Sequence, residues 1–317
     1  MLRKNIEEVI KVKEKTKKAL IITALSLVLV GLVLYIAAEL GAFKKGDKLQ
    51  GIRKELTAVE LTRLMGNGIN LGNTMEAYGH ASLGTNAAVS SYETLWGQPV
   101  TTQEMITAMK KSGFDTIRIP VAWTNTMNFE SGDYTIREDW FARVEEIVGY
   151  AMNENMYVIV NDHWDGSWWG MFGSATAKTR QKAMDMYISM WTQIAERFKN
   201  YSDYLIFESA NEELGDRLND QDIAKDSGTL STNECYEITN KINQTFVDTV
   251  RATGGNNSQR FLLIAGYGTD IKTTCDDRYV MPSDSAQNKL LVSVHYYEPF
   301  SYLSLIHISE PTRHAQI

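Results

Sequence analysis

Residues 205–216 read LIFESANEELGD, and they decide how the rest of the chain is parsed. The apolar run Leu205–Phe207 leads through Glu208, Ser209 and Ala210 into the pair Asn211–Glu212 and then breaks into turn chemistry with Gly215 and Asp216. That is the pattern of a buried strand that delivers polar side chains at its C-terminal end. Five further stretches have the same character: 65–72 (MGNGINLG), 115–121 (DTIRIPV), 156–163 (MYVIVNDH), 261–267 (FLLIAGY) and 290–297 (LLVSVHYY). Between them lie segments with apolar residues three or four apart, at 101–113, 137–155, 177–200 and 233–255, which predict amphipathic helices.

Strands apolar on both faces that alternate with helices pair in parallel through right-handed crossovers. An open doubly wound sheet and a (β/α)8 barrel both satisfy this order. The ionisable residues choose between them, because Arg118, His163, Glu212 and His295 each close a different strand run. A barrel gathers all such ends around one mouth, whereas an open sheet spreads them along a crevice. No glycine-rich phosphate loop follows the first strand, so the expectation is an α/β chain with a (β/α)8 barrel of which about six βα units are present.

Composition narrows the function. The 317 residues carry a net charge of −7 and lack clustered Lys and Arg in the main body, which argues against nucleic acid as a partner and for a neutral substrate. Cys235 and Cys275 are too few for a disulfide framework and lack metal-ligand spacing. Residues 19–38 (ALIITALSLVLVGLVLYIAA) are uncharged and long enough to cross a bilayer, and they follow a basic segment at 1–18. The expectation is a cytoplasmic N-terminus, a transmembrane anchor or signal segment, a linker over 39–56, and an extracytoplasmic body, membrane-anchored or secreted, that begins near Thr57.

Glu212 is the leading candidate for a general acid, its enclosed position expected to raise its pKa, with Asn211 donating to a substrate hydroxyl. Glu208, Glu213 and Asp216 look more like capping carboxylates. Arg118 at a strand end calls for a nearby acid, since a buried unpaired charge is costly. His163 and His295 could join Asp162, Asp165 or Glu212 as metal ligands, but the first-strand region offers no further histidine and the ligand set is short. Tyr78, Trp96, Trp123, Trp168, Trp169, Tyr296 and Tyr297 fall in or near the strand-end loops, where aromatic faces beside polar groups suit sugar rings. Trp140 and Trp191 sit inside helices and are expected to be core.

Taken together, GINLGNTMEA, GFDTIRIPVAW, MYVIVNDHWD, WTQIAERFKNYSDYLIFESANEE and LLVSVHYYEPF resemble the glycoside hydrolase family 5 endoglucanases over about residues 61–300. The resemblance implies a (β/α)8 barrel of retaining β-glycosidases acting on β-glucan, with no cofactor and no metal. It implies that Glu212 is the acid/base, that Arg118 holds the nucleophile ionised, that Asn211 meets the 2-hydroxyl, and that His163, His295 and Tyr297 line the cleaved subsite. Trp168 and Trp169 are expected among the substrate-binding aromatics.

Two departures stand out. Glu213 occupies the usual proline position, a change expected to matter little because proline only stiffens the loop. Trp164 stands where many relatives have a second histidine. The nucleophile in this family follows a seventh strand, and the only glutamates after His295 are Glu298 and Glu310. Residues 303–317 show no βα pattern and read as a non-native tail, so the barrel is expected over 57–302, incomplete and lacking the nucleophile. A noncatalytic glucan-binding barrel and a mannanase or xyloglucanase of the same family are the alternatives.

Overall fold

A computed structural model describes residues 51–297, apart from Ser167. The segments expected at 1–18 and 19–38, the first part of the linker, and the tail at 303–317 lie outside these residues. Among the described residues no helix is long and apolar enough to cross a membrane.

Six strands form one all-parallel sheet in chain order, β1 (Gly68–Asn70), β2 (Thr116–Ile119), β3 (Tyr157–Asn161), β4 (Leu205–Glu208), β5 (Leu262–Ala265) and β6 (Leu290–Ser293). The sequential order and parallel sense are those of a (β/α)8 wall, and they exclude the reversal of strand order that marks a doubly wound sheet. In register, Asn70 lies beside Arg118, Arg118 beside Ile159, and Asn161 beside Glu208. Each strand is shorter than its apolar run. His163, Glu212 and His295 therefore sit in the loops just past β3, β4 and β6, while Arg118 is within β2 itself.

The main crossover helices are α4 (Gln103–Lys111), α5 (Glu138–Asn153), α6 (Ala177–Phe198) and α7 (Thr232–Ala252), with α1 (Ala58–Leu64) before β1. Short helices α2 (His80–Leu83) and α3 (Val89–Glu93) lie between β1 and α4, and α8 (Ile271–Thr274) follows β5. The long helices bury one stripe each: on α5 Trp140, Val144, Ile147, Val148 and Ala151, and on α6 Tyr187, Trp191, Ile194 and Phe198. Spacings of three and four put these residues on one face, which is why they point at the sheet. Trp140 and Trp191 are thus core, as expected of them. Capping boxes start α1 (Thr57 with Glu60) and α7 (Ser231 with Glu234), satisfying N–H groups that a helix start leaves free.

The linker reading needs correction at its end. Residues 51–56 belong to the globular unit: Arg53 Nε donates to Asp203 at 2.9 Å, and buried Lys289 donates to the carbonyls of Arg53 and Leu56 at 3.1 and 2.5 Å. The polar composition that suggested a spacer instead supplies ion pairs and main-chain acceptors to the floor of the sheet. Cys235 is buried, Cys275 is exposed, and both are free thiols.

Candidate active site

At the C-terminal ends of the strands a cleft of about 810 Å³ is lined by residues from the β1, β2, β3, β4 and β6 ends. Its floor is an ion pair. Arg118 Nε donates to Glu208 Oε2 at 2.6 Å and Arg118 Nη2 donates to Asn211 Oδ1 at 3.0 Å, while Ser293 Oγ donates to Glu208 Oε1 at 2.7 Å. Sequence reasoning asked for an acid near Arg118, and Glu208 is that acid. It is not a cap: it ends β4 and points into the cleft, fully buried. Asn211, in the loop above, is held by Arg118 with its amide oxygen occupied, which leaves its NH2 group as the donor available to a ligand.

Glu212 shares the cleft with two donors. Its Oε1 lies 2.6 Å from His295 Nδ1 and accepts from Tyr297 Oη at 2.8 Å. An ionised carboxylate can only accept, so His295 Nδ1 is the protonated ring nitrogen of this pair. The His295 hydrogen bond pulls the Glu212 carboxyl down to about 2, opposed by desolvation and assisted by Tyr297. The expected upward shift is therefore reversed. Enclosure does raise the pKa of a carboxyl, but two short hydrogen bonds to its charged form outweigh that here. The same bond, seen from the other side, raises the Tyr297 hydroxyl.

His163 also lines the cleft, with its Nδ1 3.3 Å from Asn161 Nδ2. Burial first, and the charge of Arg118 second, push its imidazole down to about 3, so it is neutral at ordinary pH. With the Asn161 amide donating to Nδ1, the hydrogen sits on Nε2. Glu76, from the loop after β1, is a cleft residue that the sequence did not single out. Burial raises it, although its oxygens accept from the Asn73 and Thr74 amides.

The remaining carboxylates also differ from the expectation of caps. Asp216 accepts from Tyr267 Oη at 2.6 Å, and Glu213, buried, accepts two backbone N–H groups. Glu213, where the resemblance expects proline, thus places a carboxyl inside the loop and does more than leave the loop unstiffened. Asp162 and Asp165 are both fully buried beneath it, and Asp165 accepts from Thr124 Oγ1 and the Thr124 amide. Among the described residues no group of three or more His, Cys, Asp or Glu side chains is placed to hold a metal.

The aromatic expectations divide. Tyr296, Tyr297, Trp96 and Trp164 line the cleft and are 41 to 66% exposed. Trp168 and Trp169 do not line it. They lie in a single 3-10 turn, Trp168–Gly173, buried and stacked on each other with ring centroids 4.4 Å apart, against Tyr187 of α6. A loop position next to the strand end misled there, because the turn packs inward on the helix layer. Trp123 is buried as well, its indole donating to the Asn161 carbonyl at 2.9 Å.

A barrel mouth that joins an Arg–Glu floor, an Asn–Glu pair and exposed aromatics agrees with a family comparison. The family model described as "Cellulase (glycosyl hydrolase family 5)" matches residues 79–310. The chain belongs to glycosyl hydrolase family 5. It is 36% identical over 249 residues to a xyloglucan-specific endo-β-1,4-glucanase of Bacteroides ovatus, covering 78% of this chain and 46% of that one. It is 37% identical over 260 residues to endoglucanase A of Paenibacillus barcinonensis, covering 78% and 60%. The chain thus spans about half to three-fifths of the length of these curated relatives.

Among solved structures, a broad-specificity endoglucanase of Ruminococcus champanellensis with bound cellotriose superposes with a TM-score of 0.67 at 36% identity, covering 78% of this chain and 68% of that one. A family 5 enzyme of Prevotella bryantii, solved with a xyloglucan tetradecasaccharide, gives 0.64 at 36% identity, covering 77% and 67%. The six parallel strands are accordingly part of a (β/α)8-type fold.

Proposed function

We propose that this chain belongs to a retaining endo-β-1,4-glucanase in which Glu212 is the acid/base, and that it binds β-glucan across the strand-end cleft. The observation that carries the reading is the Glu212 carboxylate, bonded to His295 and Tyr297 beside the Arg118–Glu208–Asn211 network in an aromatic-rimmed cleft. In this reading Glu212 protonates the departing glycosidic oxygen and later activates water, Asn211 donates to the 2-hydroxyl, and Arg118 fixes Asn211. His163, His295 and Tyr297 line the cleaved subsite. The names of the relatives support a β-glucan substrate, with cellulose-type, mixed-linkage and xyloglucan chains as the candidates.

Retention requires a second carboxylate about 5 Å from the first. Besides Glu212, the described carboxylates of the cleft are Glu208, held by Arg118 and Ser293, and Glu76, which accepts the Asn73 and Thr74 amides. By the family resemblance the nucleophile follows a seventh strand, and the described residues contain six. The His295 and Tyr297 donors hold the Glu212 carboxyl low, and a second negative carboxylate beside it is what would raise it toward working pH. The body is proposed to act outside the cytoplasm, membrane-anchored through 19–38 or secreted.

The test is to measure cellotetraose binding and release of reducing ends from lichenan and carboxymethylcellulose by the 317-residue protein. Saturable binding is expected. Turnover abolished by Glu212→Gln would support the acid/base assignment, turnover that survives Glu212→Gln would refute it, and absence of binding to any β-glucan would refute the substrate class.

A further inference from the structure

Glu213 has no part in the chemistry above, yet its carboxylate is 4% exposed and serves two loops at once. Oε1 accepts the Trp164 N–H at 2.9 Å, from the loop after β3, and Oε2 accepts the Asn211 N–H at 2.8 Å, in the loop after β4. A buried carboxylate is tolerated when charge-assisted bonds of this kind satisfy it, so the arrangement stands or falls with those two contacts.

Trp164 is itself held in an uncommon shape. Its φ is +53°, a left-handed value that a bulky side chain rarely adopts, and its carbonyl accepts the Gly166 N–H at 2.5 Å. The outcome is an indole 42% exposed on the cleft wall, with the Arg217 guanidinium 4.1 Å from the ring centroid on one face. Arg217 is in turn tied to Asp220 at 3.1 Å. One face of the ring is occupied by a cation, and the other is left for a ligand.

The geometry points to Glu213 as a positioning residue that locks Trp164, as a specificity-determining sugar platform, in register with Asn211 and Glu212. The identity of the ligand rests on the glucanase reading given above; the lock itself does not.

The surroundings of the lock make it sensitive to pH. Asp162 faces Glu213 from the loop after β3, with Asp165 and Tyr187 of α6 beside Asp162, and Arg217, Asp220 and Glu212 flank Glu213 in its own loop. Burial first, and the charge of Asp165 second, push Asp162 well above the usual carboxylate range, so it keeps a proton. Burial likewise pushes Glu213 up to about 7, against the backbone N–H groups and Arg217. Ionised, Glu213 offers an acceptor to each loop. Protonated, one of its oxygens becomes a donor, and either Trp164 or Asn211 loses a partner.

The test titrates the full chain with cellotetraose between about pH 5.5 and about pH 8.5, comparing wild type, Glu213→Gln and Trp164→Ala. Wild-type affinity is expected to rise about tenfold with pH across that window. Glu213→Gln should bind at the low-pH wild-type level throughout, and Trp164→Ala should bind weakly with no pH step. A step that survives in Glu213→Gln, or wild-type affinity in Trp164→Ala, overturns the proposal.

A ligand-free measurement needs no variant at 213 and separates the lock from the substrate. The Trp164 emission, obtained as the difference between wild type and Trp164→Phe, should shift with a midpoint near 7. A featureless emission titration overturns the lock. If wild type binds no glucan while the emission step is present, the lock stands and the glucanase reading falls.

Discussion

Replacing Arg118 by Met tests the floor of the cleft. The side chains of Arg118 and Glu208 are 14% and 1% exposed and their bond is 2.6 Å long, so solvent screens the pair little. Removing the cation leaves a buried carboxylate with only Ser293 as donor, which costs about 3–5 kcal/mol for a buried pair broken on one side. Asn211 Oδ1 loses its 3.0 Å donor as well, worth about 1 kcal/mol more. The expected destabilisation is roughly 4–6 kcal/mol, read as a shift in the urea midpoint at constant slope or as a fall in Tm of about 2–4 °C per kcal/mol. Glu208→Gln in the same background removes the stranded charge, so the double variant should regain most of the loss. Additive single effects, or an Arg118→Met cost below about 1 kcal/mol, would refute the claim that the two residues form a buried unit.

Other outcomes follow from the same contacts. Trp169→Ala should cost about 3–5 kcal/mol of stability because the indole is core, whereas Trp96→Ala should leave stability within about 0.5 kcal/mol and lower cellotetraose affinity about tenfold. Paired melting curves and binding titrations check both, and the reverse pattern would return Trp169 to the cleft. Asp162→Asn should stabilise the protein increasingly as pH rises from about 4 to about 8. The wild-type carboxyl, raised far above its ordinary 3.8, contributes stability that is fully present below that value and is lost as pH rises through the folded-state pKa. An amide of the same shape cannot take up the charge, and a Tm difference that is flat with pH would contradict the buried neutral Asp162.

What the sequence revealed, and what it hid, divides along the range of the forces involved. Apolar runs and helical spacing gave all six strands and the four long helices, because burial on both faces of a parallel sheet leaves a local signature. Arg118, His163, Asn211, Glu212, His295 and Tyr297 were legible as cleft residues since strand ends converge in a barrel. Glu208 was hidden by its place in the run LIFE, where only the pairing of strands shows that it meets Arg118 from β2. Trp168 and Trp169 misled because nothing local says whether a 3-10 turn packs inward or outward. The pKa of Glu212 was misjudged for a related reason: its direction is set by His295, 83 residues away in the chain.

The most direct test of the account is a crystal structure of the protein with cellotetraose. The sugar is expected along the strand-end cleft, with a glycosidic oxygen within hydrogen-bond reach of Glu212 and rings against Trp96 or Trp164. Sugar bound elsewhere, or a cleft in which Glu212 contacts only His295 and Tyr297 while the ligand lies apart from it, would contradict the assignment of Glu212 as the acid/base of a β-glucan hydrolase.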